Sequence, residues 1–239
     1  MPQPKKEMIL QLDHASNRPE KASQRSDAMA VCVRICPHLW NAEEGSPWKF
    51  TDDNSISDVG NDSRNRNYSF DRIFNTDSET QDVYDEMVKT LVRKTVCGLN
   101  GTVFAYGQTG SGKTHTMVGT EAQPGVMKMA FRDAFEMARA MEAEGRSVLV
   151  RASYVELHNE ELRDLLAGGA RHSLKISEHA NHGTVVSGLT ERFVVSPEEL
   201  DELVASGQQQ AHFASHHVNE RSSRSHCIFR MTIESWETR

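Results

Sequence analysis

Thr102-Val103-Phe104-Ala105-Tyr106-Gly107-Gln108-Thr109-Gly110-Ser111-Gly112-Lys113-Thr114-His115-Thr116 decides how the rest of the chain is read. Its first five residues are apolar or β-prone, and residues from Gly107 to Thr114 fit G-x-x-x-x-G-K-[ST], a glycine-rich loop placed between a strand and a helix. Such a loop suits a ligand with several negative charges. Gly107, Gly110 and Gly112 let the backbone curl until its N–H groups converge on phosphate oxygens. Lys113 adds a cation for the β- and γ-phosphates, and the Thr114 hydroxyl is placed to ligate Mg²⁺. Gln108, Thr109 and Ser111 fill the loop between these fixed points. The pattern specifies a nucleoside triphosphate without saying what is done with it.

The chain has 239 residues, enough for one sizeable α/β domain that would bury about 70% of its unfolded surface. A formal net charge of −7 argues against a general nucleic-acid coat. Four scattered cysteines, Cys32, Cys36, Cys97 and Cys227, make neither a disulfide framework nor a zinc ribbon. No apolar run approaches the ~20 residues of a membrane span, and the opening MPQPKKEMILQLDHASN has no signal-peptide core. The reading is a soluble, cytoplasmic protein of a reducing compartment, with no membrane and no nucleic-acid partner.

Residues 1–27 are polar and weakly periodic, and they read as a flexible N-terminal extension. Order begins near Ala28, with a strand over Ala30 to Cys36 stopped by Pro37. Short strand-like pieces follow at Trp48 to Thr51 and Tyr68 to Phe74, with surface residues between them. Val83, Met87, Val88, Leu91 and Val92 fall on one helical face within Ser78 to Cys97, and Gly98 ends the pattern. Beyond the glycine-rich loop, Gly125 to Glu144 reads as helix and Ser147 to Leu157 as strand. Glu160 to Leu166 reads as a short helical turn, and Leu174 to Ile176 and Thr184 to Val195 as strands. Ser196-Pro197-Glu198-Glu199 is a helix start with a cap, a first-turn proline and a capping glutamate, and the helix should run to about Ala214. A last strand covers His226 to Ser235. Strands alternating with helices around a phosphate loop predict a mostly parallel central sheet covered on both faces.

A second cluster, Asn219-Glu220-Arg221-Ser222-Ser223-Arg224-Ser225-His226, lies between that last helix and the last strand. N-x-x-S-S-R-S-H resembles the switch I signature of kinesin motor domains. FAYGQTGSGKTHTM resembles the kinesin form of the phosphate loop, Tyr68 to Phe74 (YSFDRIF) is similar to the family's F-x-F-D-x-V-F strand, and Tyr154 to Leu166 (YVELHNEELRDLL) is similar to its Y-x-E-I-Y-N-E-x-I-x-D-L-L run. The motifs keep the family's order over about Ala28 to Ile233, so residues 28–239 are identified as a partial kinesin motor domain with a phosphate-loop NTPase core.

The resemblance implies an ATP-hydrolysing microtubule motor, with tubulin as partner, ATP and Mg²⁺ at the site, and a place on the cytoskeleton. It implies that Arg34 and Pro37 pack on adenine with Tyr84 and His115 as ring neighbours, and that Gln108 to Thr114 hold the phosphates and metal. It further implies that Asn219, Ser222 and Ser223 surround the γ-phosphate, Ser223 with Thr114 at the metal, while Arg224 pairs with a glutamate of switch II. Cys36 stands where the family's adenine motif has a second arginine. Switch II, D-L-A-G-S-E in the family, would follow the last strand, and the sequence closes at Trp236-Glu237-Thr238-Arg239 before it. The expectation is therefore a poor ATPase for this polypeptide alone, with a non-hydrolysing nucleotide- or partner-binding fragment as the alternative. A GTPase is disfavoured because no N-K-x-D motif is present.

Overall fold

A computed structural model describes residues 7–14, 29–37, 48–58, 66–168, 173–179, 183–213 and 225–237. Its core is the pairing of two long strands, β8 (Arg146–His158) and β13 (Ser225–Glu237), antiparallel over the full length of both. Opposite residues on such a ladder share a face. Cys227, Phe229, Met231 and Ile233 therefore lie with Glu156, Tyr154, Ala152 and Val150, and all eight are buried.

The six-stranded sheet runs β12 (Arg192–Val194), β8, β13, β1 (Glu7–His14), β7 (Gly101–Tyr106), with β9 (Glu161–Asp164) also paired to β8. Three smaller pairings complete the strands: β2 (Cys32–Arg34) with β6 (Arg72–Phe74), β3 (Trp48–Asp52) with β4 (Ser55–Asp58) and β5 (Arg66–Ser69), and β10 (Lys175–His179) with β11 (Gly183–Ser187).

The helices lie over the face that holds Phe229. Thr80–Val83 (α1), a π-helical turn over Tyr84–Val88 and Lys89–Val96 (α2) form one continuous element, inside the predicted Ser78 to Cys97. A short α3 (Lys113–Met117) follows the glycine-rich loop, then α4 (Val126–Ala143) and α5 (Pro197–Phe213). α4 touches α1, α2, α3 and α5, and both α4 and α5 rest on β8. Phe131 of α4 meets Phe229 at 5.3 Å between ring centroids, and Tyr154 meets the same ring edge-on at 5.4 Å. Gly207 is required where α5 crosses Tyr154, because a Cβ there would lie 2.3 Å from the tyrosine ring. The start of α5 has the predicted cap, with Ser196 Oγ accepting from the Glu199 N–H, but the Glu199 carboxylate reaches one residue past the expected capping box and accepts from the Val195 N–H.

Four expectations are corrected. The central sheet is largely antiparallel, since among its described strands only β1 and β13 pair in parallel. Periodicity marks strands without fixing their direction, and the connections here permit antiparallel neighbours. The described helices cover one face; on the other, Phe104, Tyr106, Phe193 and Trp236 are all about half exposed or more. Glu160 to Leu166 begins as the strand β9, because Asn159 and Glu160 both take left-handed φ, 49° and 63°, and turn the chain back onto β8 as a tight hairpin. Finally, the extension over 1–27 includes a strand. Met8-Ile9-Leu10 is β-prone, but its polar surroundings hid it; what makes it a strand is the pair of free edges offered by β13 and β7.

Candidate nucleotide site

The phosphate loop leaves the end of β7 and is built by short-range constraints. Gly110 and Gly112 have φ of +81° and +89°, values that side chains disfavour, and the Ser111 N–H turns back to the Gln108 carbonyl at 3.2 Å. At Gly107 a Cβ would sit 2.5 Å from Ser111 Oγ, so a side chain there would force the serine hydroxyl to rotate away. Gly112 precedes α3, whose first residues are Lys113 and Thr114.

Lys113 is only 9% exposed, and its ammonium donates to the Gly107 carbonyl at 2.8 Å and the Gln108 carbonyl at 2.5 Å. A buried cation must be paired, and here the loop's own carbonyls do it. Phosphate oxygens carry more charge than carbonyl oxygens, so a triphosphate would compete for this ammonium as a stronger acceptor. Gln108, Thr109, Gly110 and Thr114 are exposed around it, with Ser111 half-buried. The exposed Thr114 hydroxyl suits a hard, oxygen-seeking Mg²⁺. Among the described residues no group of histidine, cysteine or carboxylate side chains forms a metal site of its own.

Arg34, at the end of β2, reaches the base of this loop. Its guanidinium donates to Thr80 Oγ1 at 2.9 Å, to Thr116 Oγ1 at 3.0 Å and to the Ser78 carbonyl at 3.4 Å, tying β2, the start of α1 and α3 together. Partial burial lowers its pKa somewhat from the usual guanidinium value. Pro37 is exposed a few residues on, and His115 is exposed on α3 with Nε2 3.2 Å from Gln123 Oε1. Arg34 is thereby tied to α3, the helix on which His115 sits.

Tyr84 does not present its ring to solvent. It is 2% exposed, in the π-helical turn, and donates its hydroxyl to Asp133 Oδ2 of α4 at 2.7 Å. Burial first, and the Asp133 carboxylate second, push its pKa well above the ordinary phenol range and keep the proton on the donor. In this arrangement it joins two helices with its ring buried, which corrects the expectation of Tyr84 as an adenine-ring neighbour. Asn219, Ser222, Ser223 and Arg224 lie outside the described residues. Ser225, which follows them, is 2% exposed and opens β13. Sequence reasoning missed Thr80, Thr116, Gln123 and Asp133 as partners of the site residues. Separations of 46, 82 and 49 residues for three of these contacts leave no local signal.

Comparison with known proteins agrees with this architecture. The profile of the family described as the kinesin motor domain matches residues 17–239. Kinesin-like protein KIN-7O of Arabidopsis thaliana is 43% identical over 205 residues, which is 86% of this chain and 16% of that protein. Centromere-associated protein E of Homo sapiens is 40% identical over 217 residues, 88% of this chain and 8% of that protein. The chain thus spans a small fraction of the curated relatives it matches. Among solved structures, one described as a fast kinesin superimposes with a TM-score of 0.76 at 30% identity, covering 88% of this chain and 65% of that one. With a phosphate loop at the end of its sheet and the family's profile over nearly all its length, this chain belongs to the kinesin motor domain family.

Proposed function

We propose that residues 28–239 act as the nucleotide-binding part of a microtubule motor that hydrolyses ATP. The observation that carries the reading is the buried Lys113 ammonium, held by carbonyls of a glycine loop whose backbone already has the left-handed turns a phosphate cradle requires. Gly107 to Thr114 would bind and orient the phosphates, Arg34, Pro37 and His115 would border the base, and Thr114 with Ser223 would hold Mg²⁺. Asn219, Ser222 and Ser223 would position the attacking water, and Arg224 would close the site. Bound ATP with Mg²⁺ supplies the transferable phosphoryl group. The chain's own part is positioning and charge stabilisation, which is what phosphoryl transfer asks of a protein. Microtubules are the partner and the cytoplasmic cytoskeleton the location that this reading assigns.

The test is titration of the chain with a fluorescent ATP analogue, followed by ATP turnover with and without microtubules. Saturable, Mg²⁺-dependent binding supports the nucleotide site, and stimulated turnover supports the motor assignment. Absence of binding would overturn both, and binding without stimulated turnover would leave the alternative, a nucleotide-holding fragment that does not hydrolyse.

A further inference from the structure

β7, the strand that carries the phosphate loop, has a single neighbour in the described sheet, and that neighbour is β1. The register is antiparallel, from Glu7 opposite Tyr106 to Leu12 opposite Gly101. On its other edge β1 runs parallel to β13, from Glu7 beside His226 to His14 beside Ile233. Two consequences follow from the register. Among the described residues, β7 joins the β8–β13 ladder only through Glu7–His14. The Glu7 end of β1 also lies, in register, between Tyr106, one residue before the phosphate loop, and His226, two residues after Arg224. The backbone of one short segment therefore sets the spacing between the strand that leads into the phosphate loop and the start of β13. Glu7–His14 also lies outside residues 17–239, the part that matches the family profile, so it is an addition of this chain to what that profile describes.

We propose that Glu7–His14 is a positioning strand: it joins the phosphate-loop strand to β13, and nucleotide affinity depends on it. The dependence on affinity rests on the nucleotide-binding reading above; the strand's place in the sheet does not. A strand following β13 by a hairpin would need the same edge of β13, so it and β1 would be alternative occupants of one slot.

The test uses the full chain and two variants. In the unsubstituted protein, hydrogen exchange read by mass spectrometry should show the amides of residues 8–13 and 102–106 protected. Leu10→Pro removes an N–H and fixes φ in the middle of β1, whereas Leu10→Val keeps a strand-compatible residue. Leu10→Pro should raise exchange across residues 7–14 and 101–106 while α4 and β8 stay protected, and it should weaken binding of the fluorescent ATP analogue by about tenfold or more. Leu10→Val should preserve both readouts. Exchange of residues 8–13 at free-peptide rates in the unsubstituted chain would overturn the proposal, and so would a Leu10→Pro variant with unchanged protection at 101–106. Should Leu10→Pro also unfold α4 and β8, the unsubstituted exchange pattern decides placement and Leu10→Ala, which keeps the N–H, replaces it for affinity. A chain that binds no nucleotide but shows the expected exchange changes would sink the nucleotide reading and leave the strand's place intact.

Discussion

The two halves of the central sheet are held in different ways. β8 and β13 share a thirteen-residue ladder, with Phe131, Tyr154 and Phe229 in ring contact and α4 and α5 packed across them. β7 is six residues long, is paired on one edge among the described strands, and leaves Thr102, Phe104 and Tyr106 exposed on alternate positions. Packing and pairing are concentrated in the first half, while the phosphate loop sits on the second. On the proposed nucleotide-binding reading, in which Lys113 exchanges carbonyl partners for phosphate, the loop gains from a strand with few fixed neighbours, since regions of low local stability are where binding segments move.

The sharpest challenge to this division is Phe229→Ala. Truncating a fully buried ring between two aromatic neighbours should cost about 3–5 kcal/mol in denaturant unfolding, with nucleotide affinity of the folded fraction unchanged. A similar loss of affinity would mean the halves are coupled more tightly than the packing suggests. Lys113→Ala tests the opposite case. Losing its charge-assisted contacts, at ~1.5–3 kcal/mol each, should weaken the ATP analogue by an order of magnitude or more with a smaller change in unfolding free energy. Unchanged affinity would refute the site.

Gly207→Ala probes the helical cover. The added methyl has to displace the Tyr154 ring, at a cost of about 1–3 kcal/mol on thermal or denaturant unfolding. Tyr84→Phe removes one hydrogen bond to Asp133 and should cost about 1 kcal/mol, leaving analogue affinity as it was; a large affinity loss would restore the ring to the base site. Its pH dependence has a definite sign. Because the folded phenol titrates above its unfolded value of about 10, its contribution is full below that pH and is lost as pH rises beyond it. The smallest effect belongs to the open face, where Phe104→Ser should shift stability by no more than about 0.5 kcal/mol.

Much of the site was legible because its constraints are local. Two left-handed glycines, a lysine and a threonine at fixed spacing make the cradle by themselves, and Ser196 to Glu199 cap α5 within one turn. Arg34 was singled out from its motif, but its grip on Thr80 and Thr116 was not legible, since those partners come from distant segments. Tyr84 shows the limit most plainly: helical spacing places it on an apolar face, but it cannot say whether the ring meets a ligand or the carboxylate of another helix.

What the sequence by itself determined is the chemistry of the phosphate loop and the existence of most strands and helices, because residue type and period fix these over a few neighbours. The direction of the sheet, the helical cover on one face among the described residues and the place of Glu7–His14 were set by long-range packing. A weakly periodic segment becomes a strand when two unpaired edges stand ready for its backbone, and that condition is set by residues nearly a hundred positions away on one side and more than two hundred on the other.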